Sequence, residues 1–280
     1  MALTERSFLD LKVELSRRIL LDCHLCERRC GSDRVAEADG WCRLGADFSI
    51  SSAFLHTGEE PELVPSGTIF TTGCNVRCLY CQNWTISQRV ETGDLVSPSQ
   101  MARIVEQLIG QGCRNVNMVG GEPTPWLPRW LETFGLVSLD TPTVWNTNAY
   151  YSEESARLLA AFADVYLLDY RYGNNGCAVR LSSAPGYVEA CQRNHLMAKK
   201  YGELLVRVLV LPGHLECCYR PTLDWIAVNL GSETRVNLMW QYRPEWRAKE
   251  APELARRLSN AEKNLSKEMA NDAGLTNYII

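Results

Sequence analysis

Hydrophobic and polar positions follow two regimes along this chain. Over residues 1–22, Leu11, Val13, Leu15, Ile19 and Leu20 are spaced among charges, which predicts an amphipathic helix. Residues 23–66 lose that order. They are rich in Gly, Asp, Glu and Cys and show little strand or helix period. So long a stretch without pattern is uncommon in a compact domain unless something else orders it, and a metal site would do so.

From residue 67 short apolar runs alternate with helical periods. Strands are predicted at 67–73, 116–119, 143–148, 165–169, 204–211 and 235–241. Met101, Ile104, Val105, Leu108 and Ile109 recur at helical spacing behind Ser97 or Ser99, either of which can cap the helix. Further helices are predicted at 126–134, 153–162, 186–201, 221–230 and about 260–272. The runs VYLL and LLVRVLVL are continuously apolar, as a parallel sheet covered on both faces requires. The expected class is therefore α/β with six βα-like units. Alternation alone leaves an incomplete barrel and an open doubly wound sheet both in play.

Composition narrows the picture. The chain has 280 residues, 46% apolar and 22% charged, which excludes disordered and fibrous classes. Its 29 basic and 33 acidic side chains give a formal charge of −4, so there is no electrostatic footprint for nucleic acid or an anionic membrane. The first residues have no apolar signal core, and no run of about 18 apolar residues is present. A cytoplasmic protein without a membrane span is expected. Thiols stay reduced there, so the 12 cysteines ask for metal or redox chemistry.

The unusual polar residues cluster after strands, at the edge where α/β folds bind ligands. Cys74, Cys78 and Cys81 form C-x3-C-x2-C after the first strand. Three thiolates this close can hold an iron–sulfur cubane and leave its fourth iron open to a small molecule. A zinc loop or plain buried thiols are the alternatives. Gly120, Gly121 and Glu122 follow the second strand, Asn146 and Asn148 end the third, and Asp169 and Arg171 end the fourth. Arg207 lies on the fifth strand. Cys23, Cys26, Cys30 and Cys42 supply four thiolates, enough for one closed site: a [4Fe–4S] cluster acting as relay or staple, or zinc acting as staple. Cys113, Cys177, Cys191, Cys217 and Cys218 are left over. Cys177, Cys217 and Cys218 fall on loops expected near the site, where a further site or reactive thiol is possible, and His214 lies beside them.

CNVRCLYCQN, with Tyr80 before the third cysteine, resembles the signature of radical S-adenosylmethionine (SAM) enzymes, and GGEP at 120–123 resembles their second motif. The stretches CHLCERRCGSDR…GWC, VYLLDYRYG, VLVLPGHLE and VNLMWQYRP resemble more narrowly the branch related to pyruvate formate-lyase activating enzyme that carries an N-terminal cysteine cluster, the type associated with the AMMECR1/Memo gene system. The resemblance implies a partial (β/α)6 barrel over residues 67–280 and an irregular Cys-rich metal-binding extension, with its helix, over residues 1–66. It implies a [4Fe–4S] cluster on Cys74, Cys78 and Cys81, with SAM on the open iron. Reductive cleavage of SAM would then give a 5′-deoxyadenosyl radical that abstracts hydrogen from a protein, peptide or small organic substrate. Tyr80 is expected at adenine, Gly120, Gly121 and Glu122 at the methionyl end, and Asn148 and Asn146 at the ribose. Asp169 and Arg171 match an aspartate–x–lysine pair of the activating enzymes, with arginine in place of lysine. Arg207 is a candidate for the SAM carboxylate or a structural ion pair. A flavodoxin- or ferredoxin-type reductant is implied as partner. Competing readings are a glycyl-radical enzyme activase and a non-catalytic iron–sulfur protein of electron transfer or assembly.

Overall fold

The computed structural model describes residues 7–89 and 93–280. Helix α1 (Phe8–Leu21) begins at Ser7, which forms a reciprocal capping box with Asp10. This is the expected N-terminal helix; residues 1–6 of that expectation lie outside the described residues. Lys12 on α1 is buried, and its Nζ donates to the carbonyls of Leu158 and Ala160. Those carbonyls close α5 (Glu153–Leu159), and the last carbonyls of a helix lack partners within it, so the ammonium caps them. Burial lowers the Lys12 pKa to about 8.

Among the described residues one open sheet contains β1 (Ser49–His56), β2 (Ser66–Thr71), β3 (Asp94–Leu95), β4 (Val116–Gly120), β5 (Thr143–Thr147), β6 (Val165–Asp169), β7 (Glu203–Leu209), β8 (Arg235–Met239) and β9 (Tyr278–Ile279). The spatial order is β3-β1-β2-β4-β5-β6-β7-β8-β9. The six predicted strands, β2 and β4 to β8, run parallel in sequence order, as successive βα units must when each crossover has the same hand. β9 extends them in parallel, while β1 and β3 are antiparallel additions at the other edge. The class is α/β with a mostly parallel sheet that does not close, a partial barrel.

Helices α2 (Trp84–Ser87), α3 (Pro98–Gly110), α4 (Leu127–Phe134), α5, α6 (Asn175–Ser182), α7 (Tyr187–Tyr201), α8 (Arg220–Trp225) and α9 (Asn260–Asp272) complete the elements used here. Ser97, not Ser99, caps α3, with Gln100 closing the box. The predicted helix at 221–230 is α8 continued by a π-helical turn, Ile226–Leu230.

Strands β1, β3 and β9 and helices α2 and α6 go beyond the expectation. The segment expected to be irregular contains β1, whose SISSAFLH sequence has too many serines to show apolar alternation. Its order comes from pairing with β2, from Ile50 opposite Thr71 to His56 opposite Ser66, with a register shift between Ile50 and Ser52. Helix α6 was not expected either. It starts on an Asn174 cap and ends with Ser183 in the left-handed region, signals that its mixed NGCAVRLS pattern obscures.

α7 packs on the sheet through a fully buried His195, whose Nδ1 donates to the Cys191 carbonyl at 2.8 Å and whose ring lies against Tyr170. Burial lowers its pKa from 6.5 to about 4. Folded imidazole therefore stays neutral while unfolded imidazole gains a proton. Stability from this group should fall as pH drops from about 6.5 to about 4, by on the order of 3 kcal/mol. Urea midpoints taken across that range should shift less in His195→Gln than in the wild type; equal shifts would refute the assignment.

Candidate active site

Parallel pairing delivers the carboxyl ends of six strands to one edge. The registers place Thr71 beside Gly120, Asp169 beside Arg207 and Arg207 beside Asn237. A cavity of about 550 Å³ opens at this edge. It is lined by Cys74, Cys78, Cys81, Tyr80, Gly121, Glu122, Asn146, Asn148, Asp169, Arg171 and Arg207, which bring together ten of the expected positions and the strand-five arginine. The size is that of a site for a small-molecule ligand.

The cysteine loop is fixed by backbone contacts rather than by regular structure. Arg77 N donates to Ser182 O and Leu79 N to Leu181 O, each at 2.8 Å, so the end of α6 holds the loop. Donors converge on the sulfurs. Arg171 Nη1 lies 3.0 Å from Cys78 Sγ and Ser182 Oγ 2.9 Å from it. Burial pushes the Cys74 and Cys81 thiols up. Deprotonating thiols in such a place requires a compensating cation, which a bound metal supplies. The donor set, the room and the thiols fit a cluster.

Gly120 does not line the cavity. Its φ is +132°, and an added Cβ would sit 2.1 Å from Thr71 O. Gly120 therefore lets β4 end against the backbone of β2, while Gly121, whose Cβ would meet Gly73 O at 1.9 Å, closes the cavity wall. Glu122 is buried and pinned. Thr124 N and Oγ1 and Thr147 Oγ1 donate to Oε1, and Asn148 N donates to Oε2 at 2.9 Å. Burial pushes its carboxyl above the usual range despite those donors.

The two asparagines differ. Asn148 Nδ2 donates to Asn75 Oδ1 at 2.7 Å and its own Oδ1 accepts from Tyr150 N, so its amide is engaged by the loop. Asn146 lines the cavity. Tyr80 shares a 2.6 Å hydrogen bond with Tyr172, which in turn meets Ser182, and its ring stands edge-on to Tyr242. Asp169 pairs with Arg171 at 2.6 Å, and the same guanidinium reaches Cys78. Arg207 is bound by Glu59 and Glu60, with Glu60 also accepting from Asn237 at 2.9 Å. Burial opposes ionisation of Glu60, but Arg207 and Asn237 hold its carboxyl below the usual range. Arg207 thus forms the structural ion pair, and it lines the cavity as well. Glu59, Glu60 and Ser182 escaped the sequence reading. The glutamates precede a strand in a patternless loop, and Ser182 ends a helix that was not expected.

Cys23, Cys26, Cys30 and Cys42 ring a second, smaller cavity, which Asn75 also lines. Burial pushes the Cys26 and Cys42 thiols up. Arg28 stacks on Trp41 at 3.9 Å and donates to Asn75 O at 3.0 Å, tying this cavity to the Cys74 loop. Cys113 and Cys191 are buried core thiols. No helix among the described residues is long and apolar enough to cross a membrane.

An open α/β barrel that gathers three thiols, a paired-glycine turn and a buried carboxylate at its carboxyl edge defines a protein built for cysteine-ligated cofactor chemistry. The chain belongs to the radical SAM superfamily, whose sequence model matches residues 68–226. Membership implies an enzyme that uses SAM and a [4Fe–4S] cluster. The uncharacterized protein MJ0674 of Methanocaldococcus jannaschii is 43% identical over 275 residues, covering 96% of this chain and 80% of the relative. MJ0808 of the same organism is 25% identical over 258 residues, covering 82% and 73%. In structure, Streptococcus suis SuiB bound to S-adenosylmethionine matches with a TM-score of 0.52 at 14% identity, over 74% of this chain and 48% of SuiB. SuiB bound to the precursor peptide SuiA matches with 0.52 at 16% identity, over 72% and 44%. This chain thus spans just under half of SuiB, and the likeness is one of fold.

Proposed function

We propose that this protein is a radical SAM enzyme that abstracts hydrogen from a protein, peptide or small organic substrate, in the branch related to pyruvate formate-lyase activating enzyme with an N-terminal cysteine cluster. The observation that carries the reading is the meeting of the three thiols and the Gly121–Glu122 wall in one cavity. Cys74, Cys78 and Cys81 would hold the cluster. Glu122, Asp169 and Arg171 would receive the charged methionyl end, Tyr80 the adenine, and Asn146, with Asn148 behind it, the ribose. With both bound, the cluster and SAM supply reductive sulfonium cleavage and a 5′-deoxyadenosyl radical.

The chain's own part is electrostatic and steric. Gly121 would bring backbone close to the ligand, and Gly120 lets β4 end tightly against β2 to place it there. Thr124, Thr147 and Asn148 hold the Glu122 carboxylate in one orientation for a ligand ammonium. Arg207, with its partners Glu59 and Glu60, adds a charged stretch to the lining of the same cavity. Anaerobic reconstitution with iron and sulfide, followed by a reductant and SAM, should yield 5′-deoxyadenosine. A loaded cluster with bound SAM and no such product would overturn the reading. A glycyl radical on a partner polypeptide, seen by EPR, would narrow it to an activase.

Arg171 bears on the electronics. Its guanidinium places positive charge and an N–H donor on Cys78 Sγ. Hydrogen bonds to cluster sulfurs help set the potential. Arg171→Gln should therefore move the cluster potential to a more negative value, read by an EPR-monitored redox titration; an unchanged potential would refute this role.

Residues 1–66 are proposed as a metal-binding extension to a catalytic region at 67–280. Cys23, Cys26, Cys30 and Cys42 would hold one metal group. Their shared cavity supports a single site, proposed as a [4Fe–4S] cluster with zinc as the alternative. A flavodoxin- or ferredoxin-type donor in the cytoplasm is the proposed reductant.

A further inference from the structure

Cys177, His214, Cys217 and Cys218 come together away from both cavities described above. Each offers one ligand atom, and the four atoms all lie within 4.8 Å of one another. His214 Nδ1 is 3.5 Å from Cys177 Sγ, 3.3 Å from Cys217 Sγ and 3.9 Å from Cys218 Sγ. Cys177 and Cys217 sulfurs are 3.8 Å apart, and Cys217 and Cys218 sulfurs 3.9 Å. Zinc bonds of about 2.3 Å to sulfur and about 2.0 Å to nitrogen, set tetrahedrally, place ligand atoms about 3.5 to 3.8 Å apart. The observed spacings fit one tetrahedral ion and are too tight for a cubane.

The local fold is shaped around this meeting. Cys177 lies in the first turn of α6, behind its Asn174 cap. His214, Cys217 and Cys218 stand at i, i+3 and i+4 around the π-helical turn Leu215–Tyr219, so they share one face. Gly173 lets the two segments touch: a Cβ there would lie 2.4 Å from Cys218 O. The imidazole is also oriented. Its Nε2 is 3.2 Å from Glu253 Oε1, which also pairs with Arg180, whose Nη2 lies 3.3 Å from the same Nε2. Donation from Nε2–H to that carboxylate leaves the Nδ1 lone pair aimed at the three sulfurs, the arrangement that supports metal-binding histidines.

We propose that Cys177, His214, Cys217 and Cys218 bind one zinc ion in a closed Cys3His site. Binding replaces three thiol protons, which are released to solvent, and keeps histidine neutral. With all four positions taken by protein, the ion is structural. It would staple the start of α6 to the turn after β7. The other end of α6 holds the Cys74–Cys81 loop through Leu181 and Ser182, about 12 Å along the helix. Zinc would thus steady the cluster loop without touching it.

The test uses the full chain, purified from zinc-supplemented medium and measured for metals. The wild type should carry zinc at this site in addition to iron. Cys217→Ser, at an exposed position, should lose about one zinc per chain while its iron is unchanged. Glu253→Gln, the milder variant, should hold zinc about 10- to 100-fold more weakly against a chelator. Zinc-edge X-ray absorption should show three sulfurs and one nitrogen. Folded, iron-loaded wild type without zinc would overturn the proposal. So would zinc that persists in Cys217→Ser, zinc lost with Cys26→Ser instead, or a four-sulfur environment.

Discussion

Cys78→Ala should lose about four iron atoms per chain, those of one cubane, together with SAM binding and 5′-deoxyadenosine formation. Removing a residue that only supports a metal ligand commonly costs about 10- to 100-fold, so removing the ligand itself should cost more than about 100-fold in product formed. Cys78 is the most exacting choice of the three, because Arg171 and Ser182 both donate to its sulfur. Both donors would then face an alanine methyl, and the end of α6 would lose a contact with the loop. Cys113→Ala, in the core away from the cavity, is the control and should keep both iron and product. Iron analysis, calorimetric titration with SAM and chromatography of the nucleoside check all three outcomes. Full product formation by iron-loaded Cys78→Ala would remove this cysteine from the site.

Gly120→Ala should destabilise the fold by about 3 kcal/mol or more, the sum of an overpacked contact and a strained backbone. Its φ of +132° is hostile to any side chain, and the new methyl would enter the backbone of Thr71 at 2.1 Å. Neither strand end can retreat. β2 and β4 are paired up to this level, and Thr71 Oγ1 also donates to Val119 O at 2.8 Å. Because Gly121 and Glu122 follow directly, SAM affinity should fall with stability. Gly110→Ala is the contrast. That glycine ends α3, has open space where a Cβ would go, and should be neutral or gain about 0.5 to 1 kcal/mol. Denaturant midpoints of the two variants check the pair; equal midpoints would show that β4 can move away from β2.

Much of the candidate site was legible because chemistry-bearing residues sit at fixed places in βα units. Once strands at 67–73, 116–119, 143–148 and 165–169 are recognised, Cys74, Glu122, Asn146 and Asp169 must fall at one edge. What each residue does there was less legible. Arg207 reads equally as a carboxylate ligand or a structural ion pair, and the ion pair is the one formed, with Glu59 and Glu60, which lie 148 and 147 residues away in sequence. Asn148 reads as a ribose ligand, and while it lines the cavity its Nδ2 also donates to Asn75, a contact the sequence does not show. Such pairings depend on which loops fold over the cavity, and loop courses leave no periodic trace.

The sequence alone determined the class of the fold, the six parallel strands and the cysteine motif that marks the reaction edge. It could do so because apolar period and motif spacing are local properties. Only the tertiary structure decided the roles of β1 and α6, the ion pairing of Arg207 and the meeting of Cys177 with His214, Cys217 and Cys218. The physical reason is the same in each case. Those features rest on contacts between segments whose own patterns are weak, and the energy that defines them appears only when distant parts of the chain pack together.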